Sequence, residues 1–161
     1  MKKTFYSLLV ILALISPSCT NEDVSESSLI GEWQVANAYI EAETNLNSAT
    51  EKLEENKIVY DYESMVDGTL LLKEDKTYII SYKNSFDYGS YKVENKRLIL
   101  ESEHFDGREI YYCNFKNQQL NLHHDLTEMV KENLEHFIES SNNESIIINK
   151  VELKIELSKR N

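Results

Sequence analysis

The chain has 161 residues, 41% of them hydrophobic, and its 28 acidic against 17 basic side chains give a formal charge of −11. That supply of apolar residues suffices for one compact core, while so acidic a chain without a basic cluster repels nucleic acid and anionic membrane surfaces. Four glycines, one proline and two cysteines argue against a second domain behind a flexible linker and against a disulfide scaffold.

Residues 1–18 read as a secretory signal. Lys2 and Lys3 precede an apolar run from Phe5 to Ile15, and Ser16-Pro17-Ser18-Cys19 follows. The run is shorter than the roughly 20 apolar residues of a membrane-spanning helix. Leu14 or Ile15, the small Ser18 and Cys19 together resemble a bacterial lipobox, which implies cleavage before Cys19 and its acylation (palmitate or a similar chain). Pro17 and Ser16 depart from the commonest form of that motif. The alternative is an ordinary secreted protein with an incidental Cys19. Without Lys2 and Lys3, 15 basic against 28 acidic side chains leave a charge of −13. Cys113 would then be the one remaining cysteine, expected to pack as a small hydrophobe beside Tyr111 or Phe115.

Residues 19–28 are the expected acylated cysteine and tether, because TNEDVSESS has no apolar periodicity. The Asn21-Glu22-Asp23 cluster resembles the acidic export signal of Bacteroidetes lipoproteins, which implies an exported, outer-membrane protein exposed at the cell surface. A plain soluble leash is the other reading.

Residues 29–161 form the expected domain. Gly31, at a tight entry or close approach, and Trp33, a plug for the base of the sheet, are its structural anchors. Trp33 and Val35 share a face, with Tyr39 continuing it. Ser48 and Glu51 have capping-box spacing, and Ala49 and Leu53 lie one turn apart, so a short helix is expected there. Lys57–Tyr62 reads as extended. From Gly68 to Asp125 the chain alternates: Tyr78, Ile80 and Tyr82 on one face, then Tyr91 and Val93, Leu98 and Leu100, Leu120 and Leu122. Turns are expected at Glu74–Lys76, Asn84–Asp87, Glu94–Lys96, Phe105–Gly107 and Lys116–Gln118. This is an antiparallel meander.

Asp125 is placed to cap one helix whose apolar stripe runs through Leu126, Met129, Val130, Leu134, Phe137 and Ile138, with a stop at 140–143. In the last element Val151, Leu153, Ile155 and Leu157 alternate with Glu152, Lys154, Glu156 and Ser158. Ile146–Ile148 is apolar on both faces, and covering by the helix is expected. Pairing the last strand with the Trp33 strand would remove both sheet edges. The expected fold is therefore all-β: a small up-and-down antiparallel barrel of about eight strands, with a helix inserted before the last strand.

Gly31-Glu32-Trp33, Glu74-Asp75-Lys76-Thr77-Tyr78, Gly89-Ser90-Tyr91 with Val93-Glu94-Asn95, and Leu98-Ile99-Leu100 occur in this order. The series resembles the lipocalin-like domains of Bacteroidetes lipoproteins, well over Leu29–Asp125 and loosely beyond, where the helix is an insertion. Lys76 stands where that family often has glycine. The resemblance implies a small barrel with an internal cavity but no common activity or ligand.

Chemistry is sparse. His123 and His124, adjacent on a strand, point to opposite faces and cannot both ligate one metal; His104 and His136 supply no recognisable spacing. No nucleophile elbow or phosphate loop occurs, so no catalytic residue, metal ligand or cofactor is assigned. With 28 acids, pairs of carboxylates carry no information. The ten tyrosines are the most suggestive supply. They fill small barrels, or they line a pocket with apolar rings and polar handles. The candidate pocket residues are Tyr78, Ile80, Tyr82, Tyr91, Val93 and Tyr111.

The leading expectation is a lipid-anchored, non-enzymatic binding module for a small apolar or amphipathic molecule. Its partners would be the membrane, through the N-terminal lipid, and that ligand, with no nucleic acid. The second is an envelope protein-interaction or assembly lipoprotein with a solid barrel, docking through an apolar patch near Phe137-Ile138 or Ile146–Ile148. An enzyme comes third and would need convergent polar groups, such as His123 or His124 beside a buried acid.

Overall fold

The computed structural model describes residues 24–55, 64–83, 85–116, 118–138 and 145–160. The signal, Cys19, the start of the tether, the extended reading at Lys57–Tyr62 and the stop at 140–143 lie outside them. Eight strands close into an antiparallel barrel in sequence order, each paired with its chain neighbour and the last with the first. They are β1 (Gly31–Thr44), β2 (Thr69–Leu72), β3 (Thr77–Tyr82), β4 (Ser85–Glu94), β5 (Arg97–Ser102), β6 (Arg108–Lys116), β7 (Gln119–Asp125) and β8 (Ile148–Lys159). The alternation of the meander becomes the inner wall. Leu98, Leu100, Leu120, Leu122, Val151, Leu153, Ile155 and Leu157 are each at most 3% exposed. Closure by β1 and β8 matches the expectation, and the two pair from Trp33–Lys159 to Thr44–Ile148.

The base of the barrel is built on Trp33. A short helix, α1 (Glu26–Leu29), is capped by the Ser25 side chain, which accepts from the Ser28 amide, and occupies the last residues of the expected tether. The indole N–H of Trp33 donates to the Leu29 carbonyl at 2.7 Å, and its ring meets Phe115 at 5.9 Å. The Lys159 ammonium lies 5.3 Å from the ring centroid, within cation–π range. Gly31 has φ +131°, a conformation that L side chains rarely adopt, so the tight entry needs glycine.

Beyond Val35 the expected face of β1 is wrong. A bulge between Val35 and Asn37 adds one residue against β8, so Ala38, Ile40 and Ala42 turn inward and Tyr39 turns out. A one-residue slip exchanges the faces of every later side chain. Helix α2 (Asn47–Glu55) packs Ala49 and Leu53 into the core as expected. Ser48 falls within the helix instead of capping it. The Leu46 amide donates to Thr44 Oγ1, so the entry is held one turn earlier than the capping-box spacing suggests.

The helix expected before β8 is in two pieces, α3 (Thr127–Glu132) and α4 (Leu134–Phe137). Asn133 is the reason. Its side-chain amide donates to the Met129 carbonyl at 2.8 Å while its backbone N–H turns to Val130 O, so the α-helical ladder is interrupted. Leu126, Val130 and Ile138 are nevertheless buried on the core, with Met129, Leu134 and Phe137 packed beside them. Ile148 is buried, whereas Ile147 is 57% exposed, so the cover expected over Ile146–Ile148 is incomplete.

Candidate functional site at the barrel mouth

The candidate pocket residues all belong to the inner wall. Tyr78, Ile80, Tyr91 and Tyr111 are buried, and Tyr82 and Val93 pack against the core at its edge. Among the described residues they pack against one another and the core, with little space between them. The cavity beside Ile80, Tyr82, Leu100, Tyr111 and Ile155 measures only ≈20 Å³, room for about one water, against the ~300–1,000 Å³ of ordinary ligand pockets. Tyr91 points to the base, where its hydroxyl donates to the Lys73 carbonyl at 2.7 Å. Tyr91 and Val93 therefore do not converge with the others.

Tyr78 and Tyr111 lean towards the opposite end, where the inner face turns polar. The Tyr78 hydroxyl donates to one oxygen of Asp87 and the Ser102 hydroxyl to the other, each at 2.6 Å. The Tyr111 hydroxyl donates to Glu109. His124 stacks obliquely on Tyr111, ring centres 5.1 Å apart, with Nδ1 2.9 Å from the Ile110 carbonyl oxygen. A recess of ≈250 Å³ opens here, floored by Leu100 and rimmed by the 103–107 loop with Phe105, Asp106 and Gly107, beside Arg108.

Register explains the convergence. Asp87 is opposite Ile80, Gly89 opposite Tyr78 and Ser102, and Glu109 opposite Leu100, so Asp87, Ser102 and Glu109 all face inward, on successive rows stepped two residues apart. Gly89 is required because a Cβ would stand 2.0 Å from the Glu101 carbonyl oxygen. Burial first, then the Asp87 carboxylate, pushes the Tyr78 phenol well above its usual range, so it stays a donor at every physiological pH.

The turn expected at Asn84–Asp87 is shorter than that, because Ser85, Phe86 and Asp87 already belong to β4. Asp87, Ser102 and Glu109 line this candidate site but are not among the pocket residues that the sequence reading picks out. Extending its own alternation backwards from Tyr91, forwards from Leu100 and backwards from Tyr111 would have placed all three inward. The two adjacent histidines diverge, His124 into the barrel and His123 outward, where Asn114 Nδ2 lies 3.2 Å from its Nε2. Among the described residues no group of three or more His, Cys, Asp or Glu side chains could hold a metal ion.

Outside the mouth, Phe86, Tyr88 and His104 form an aromatic cluster. The His104 ring stands edge-on to Tyr88 at 4.5 Å, Phe86 stacks on Tyr88 at 6.0 Å, and Phe86 is 62% exposed. No protein-family model matches this chain, and no curated protein matches it significantly.

Proposed function

We propose that this protein is a lipid-anchored, non-enzymatic binding module that takes the polar end of a small amphipathic molecule in the mouth of its barrel. The observation that carries the reading is the contrast between an interior cavity of ≈20 Å³ and a mouth recess of ≈250 Å³. A ligand head with hydrogen-bond donors would meet Asp87 and Glu109, and its apolar part would lie on Leu100 and Phe105, the latter 69% exposed. Asp87 already accepts hydrogen bonds from two hydroxyls and Tyr78 is held protonated, an arrangement suited to holding a ligand and not to moving its protons. The lipobox-like segment ending at Cys19 supports an outer-membrane anchor, and the acidic residues behind it support display at the surface. The ordered series of barrel motifs supports kinship with lipocalin-like lipoproteins.

A second reading rests on the exposed cluster of Phe86, Tyr88 and His104: a solid barrel docking a protein partner on the rim. Native mass spectrometry of the full-length protein, extracted gently from its own membrane, separates the two. A small adduct that leaves on denaturation and is weakened in Asp87→Asn and Glu109→Gln supports the mouth site. A co-purifying protein lost in Phe86→Ser, with no adduct in any sample, supports the rim.

A further inference from the structure

The outer wall carries a second recess, unrelated to the mouth, across β6, β7, β8 and β1. It measures ≈380 Å³ and is lined by Tyr39, Asn114, Asn121, His123, Lys154 and Glu156, among others. Register arranges these side chains in two rows that cross all four strands. One runs Tyr112, His123, Lys154, Tyr39; the next runs Asn114, Asn121, Glu156, Asn37. The bulge after Val35 creates the arrangement, because it turns Tyr39 and Asn37 outward to complete the rows.

Three features of this wall restrict what it can bind. Its donors and acceptors are interleaved: an amide offers both in one plane, as do the neighbouring imidazole, ammonium and carboxylate taken together, which matches hydroxyl groups that donate and accept at once. Its charge is balanced, Lys116 and Lys154 against Glu156 and against Glu41, which pairs with Lys154, in a chain whose net charge is −11, so it selects strongly for neither cations nor anions. The apolar liners Leu122 and Ile155 point into the barrel and are at most 3% exposed, so an apolar ligand finds little to cover. Flat rings close the first row at both ends, Tyr39 half-buried and Tyr112 54% exposed. Their strands stand three inter-strand spacings apart, about 14 Å.

We infer that this wall is a binding site for a neutral, hydroxyl-rich chain, in chemical terms a short segment of uncharged oligosaccharide, with the amides reading hydroxyls and the tyrosine faces receiving the C–H side of the sugar rings. The inference stands apart from the mouth and does not need it.

The test is calorimetric titration of the full-length protein in detergent with linear neutral hexasaccharides (of glucose in α and in β linkage, of mannose and of xylose), beside oligolysine and an oligogalacturonate. The expected result is saturable binding of at least one neutral oligosaccharide, equal at low and high salt because no ion pair is involved. Affinity should fall about tenfold or more in both Tyr39→Ala and Asn121→Ala, about 1.4 kcal/mol, and stay unchanged in Glu128→Gln, an exposed position on α3. Should Tyr39→Ala fail to fold, Asn121→Ala carries the comparison alone. The inference is overturned if no neutral sugar binds up to its solubility limit. Binding that survives both substitutions, or only salt-sensitive binding of the charged probes, overturns it equally.

Discussion

Tyr78 and Asp87 sit on neighbouring strands, two residues apart in register, and the phenol leans along the barrel axis to donate to the carboxylate at 2.6 Å. The glycine opposite Tyr78 leaves the ring room to lean. Ser102 completes the arrangement from the far side, so one carboxylate ties β3, β4 and β5 together at the mouth. The apolar core and the polar rim thus meet in a single side chain, which is 1% exposed yet reaches the recess with its hydroxyl.

Removing that hydroxyl should be costly. Tyr78→Phe deletes a hydrogen bond to a charged acceptor, and urea unfolding should show a loss of about 1.5–3 kcal/mol. Asp87→Asn alone should also destabilise, and the double variant should lose less than the sum. A coupling energy within about 0.5 kcal/mol of zero would show that the two groups do not act together.

Gly89→Ala should be among the most damaging single substitutions in the sheet. The added methyl would stand 2.0 Å from the backbone oxygen of Glu101 and 3.0 Å from Ser102 Cα, atoms that cannot swing aside as a flexible side chain would. A loss of at least about 3 kcal/mol is expected, at the upper end of overpacking costs. Circular dichroism during thermal unfolding reads it. A melting temperature close to that of the unsubstituted protein would mean that β4 and β5 separate at little cost.

Most of the barrel was legible because strand alternation survives in the residues themselves: tyrosines and leucines at every second position, from Tyr78 to Leu157. What escaped was whatever depends on a partner strand. The bulge after Val35 is set by pairing with β8, more than a hundred residues away, and nothing local at Ala36 signals it. Asp87 looked like a turn residue because aspartate favours turns; only closure of the barrel makes its inward position useful. Lys76 illustrates the reverse. It lies in the turn expected at Glu74–Lys76, and it adopts φ +70°, the conformation that glycine would serve. The break at Asn133 had a local cause, a side chain competing for a helix carbonyl, but the apolar stripe around it masked the signal.

Alkaline pH should unfold the protein through its core thiol. Burial pushes Cys113 up from 9.0 to about 12, and its Sγ rests 3.6 Å from the Tyr111 carbonyl oxygen. Above pH 9 the unfolded chain releases this proton while the folded chain keeps it, so the unfolded state binds fewer protons and stability falls as pH rises. The contribution is intact below pH 9 and is lost progressively towards pH 12, at up to about 1.4 kcal/mol per pH unit. Tyr78, also raised, adds to the slope above pH 10. Urea titrations across this range should show a shallower decline for Cys113→Ala than for the parent, and parallel curves would mean the thiol ionises as readily folded as unfolded.

The β4–β5 hairpin offers a stabilising change. Asn95 and Lys96 have φ of +52° and +62°, both left-handed, the backbone of a two-residue turn that suits the twist of its strands. Asn tolerates the first position, but a lysine at the second carries a steric cost of about 1–2 kcal/mol. Glycine removes that cost and adds back part of it as unfolded-state freedom, roughly 0.5–1 kcal/mol. Lys96→Gly should therefore gain about 0.5 kcal/mol or slightly more, while Lys96→Ala, which keeps the Cβ, should gain nothing. The Lys96 carbonyl still accepts from the Cys113 amide at 2.8 Å in either variant, so the comparison isolates the side chain. Chemical denaturation of the three proteins ranks them, and an alanine variant as stable as the glycine one would show that the turn does not strain its lysine.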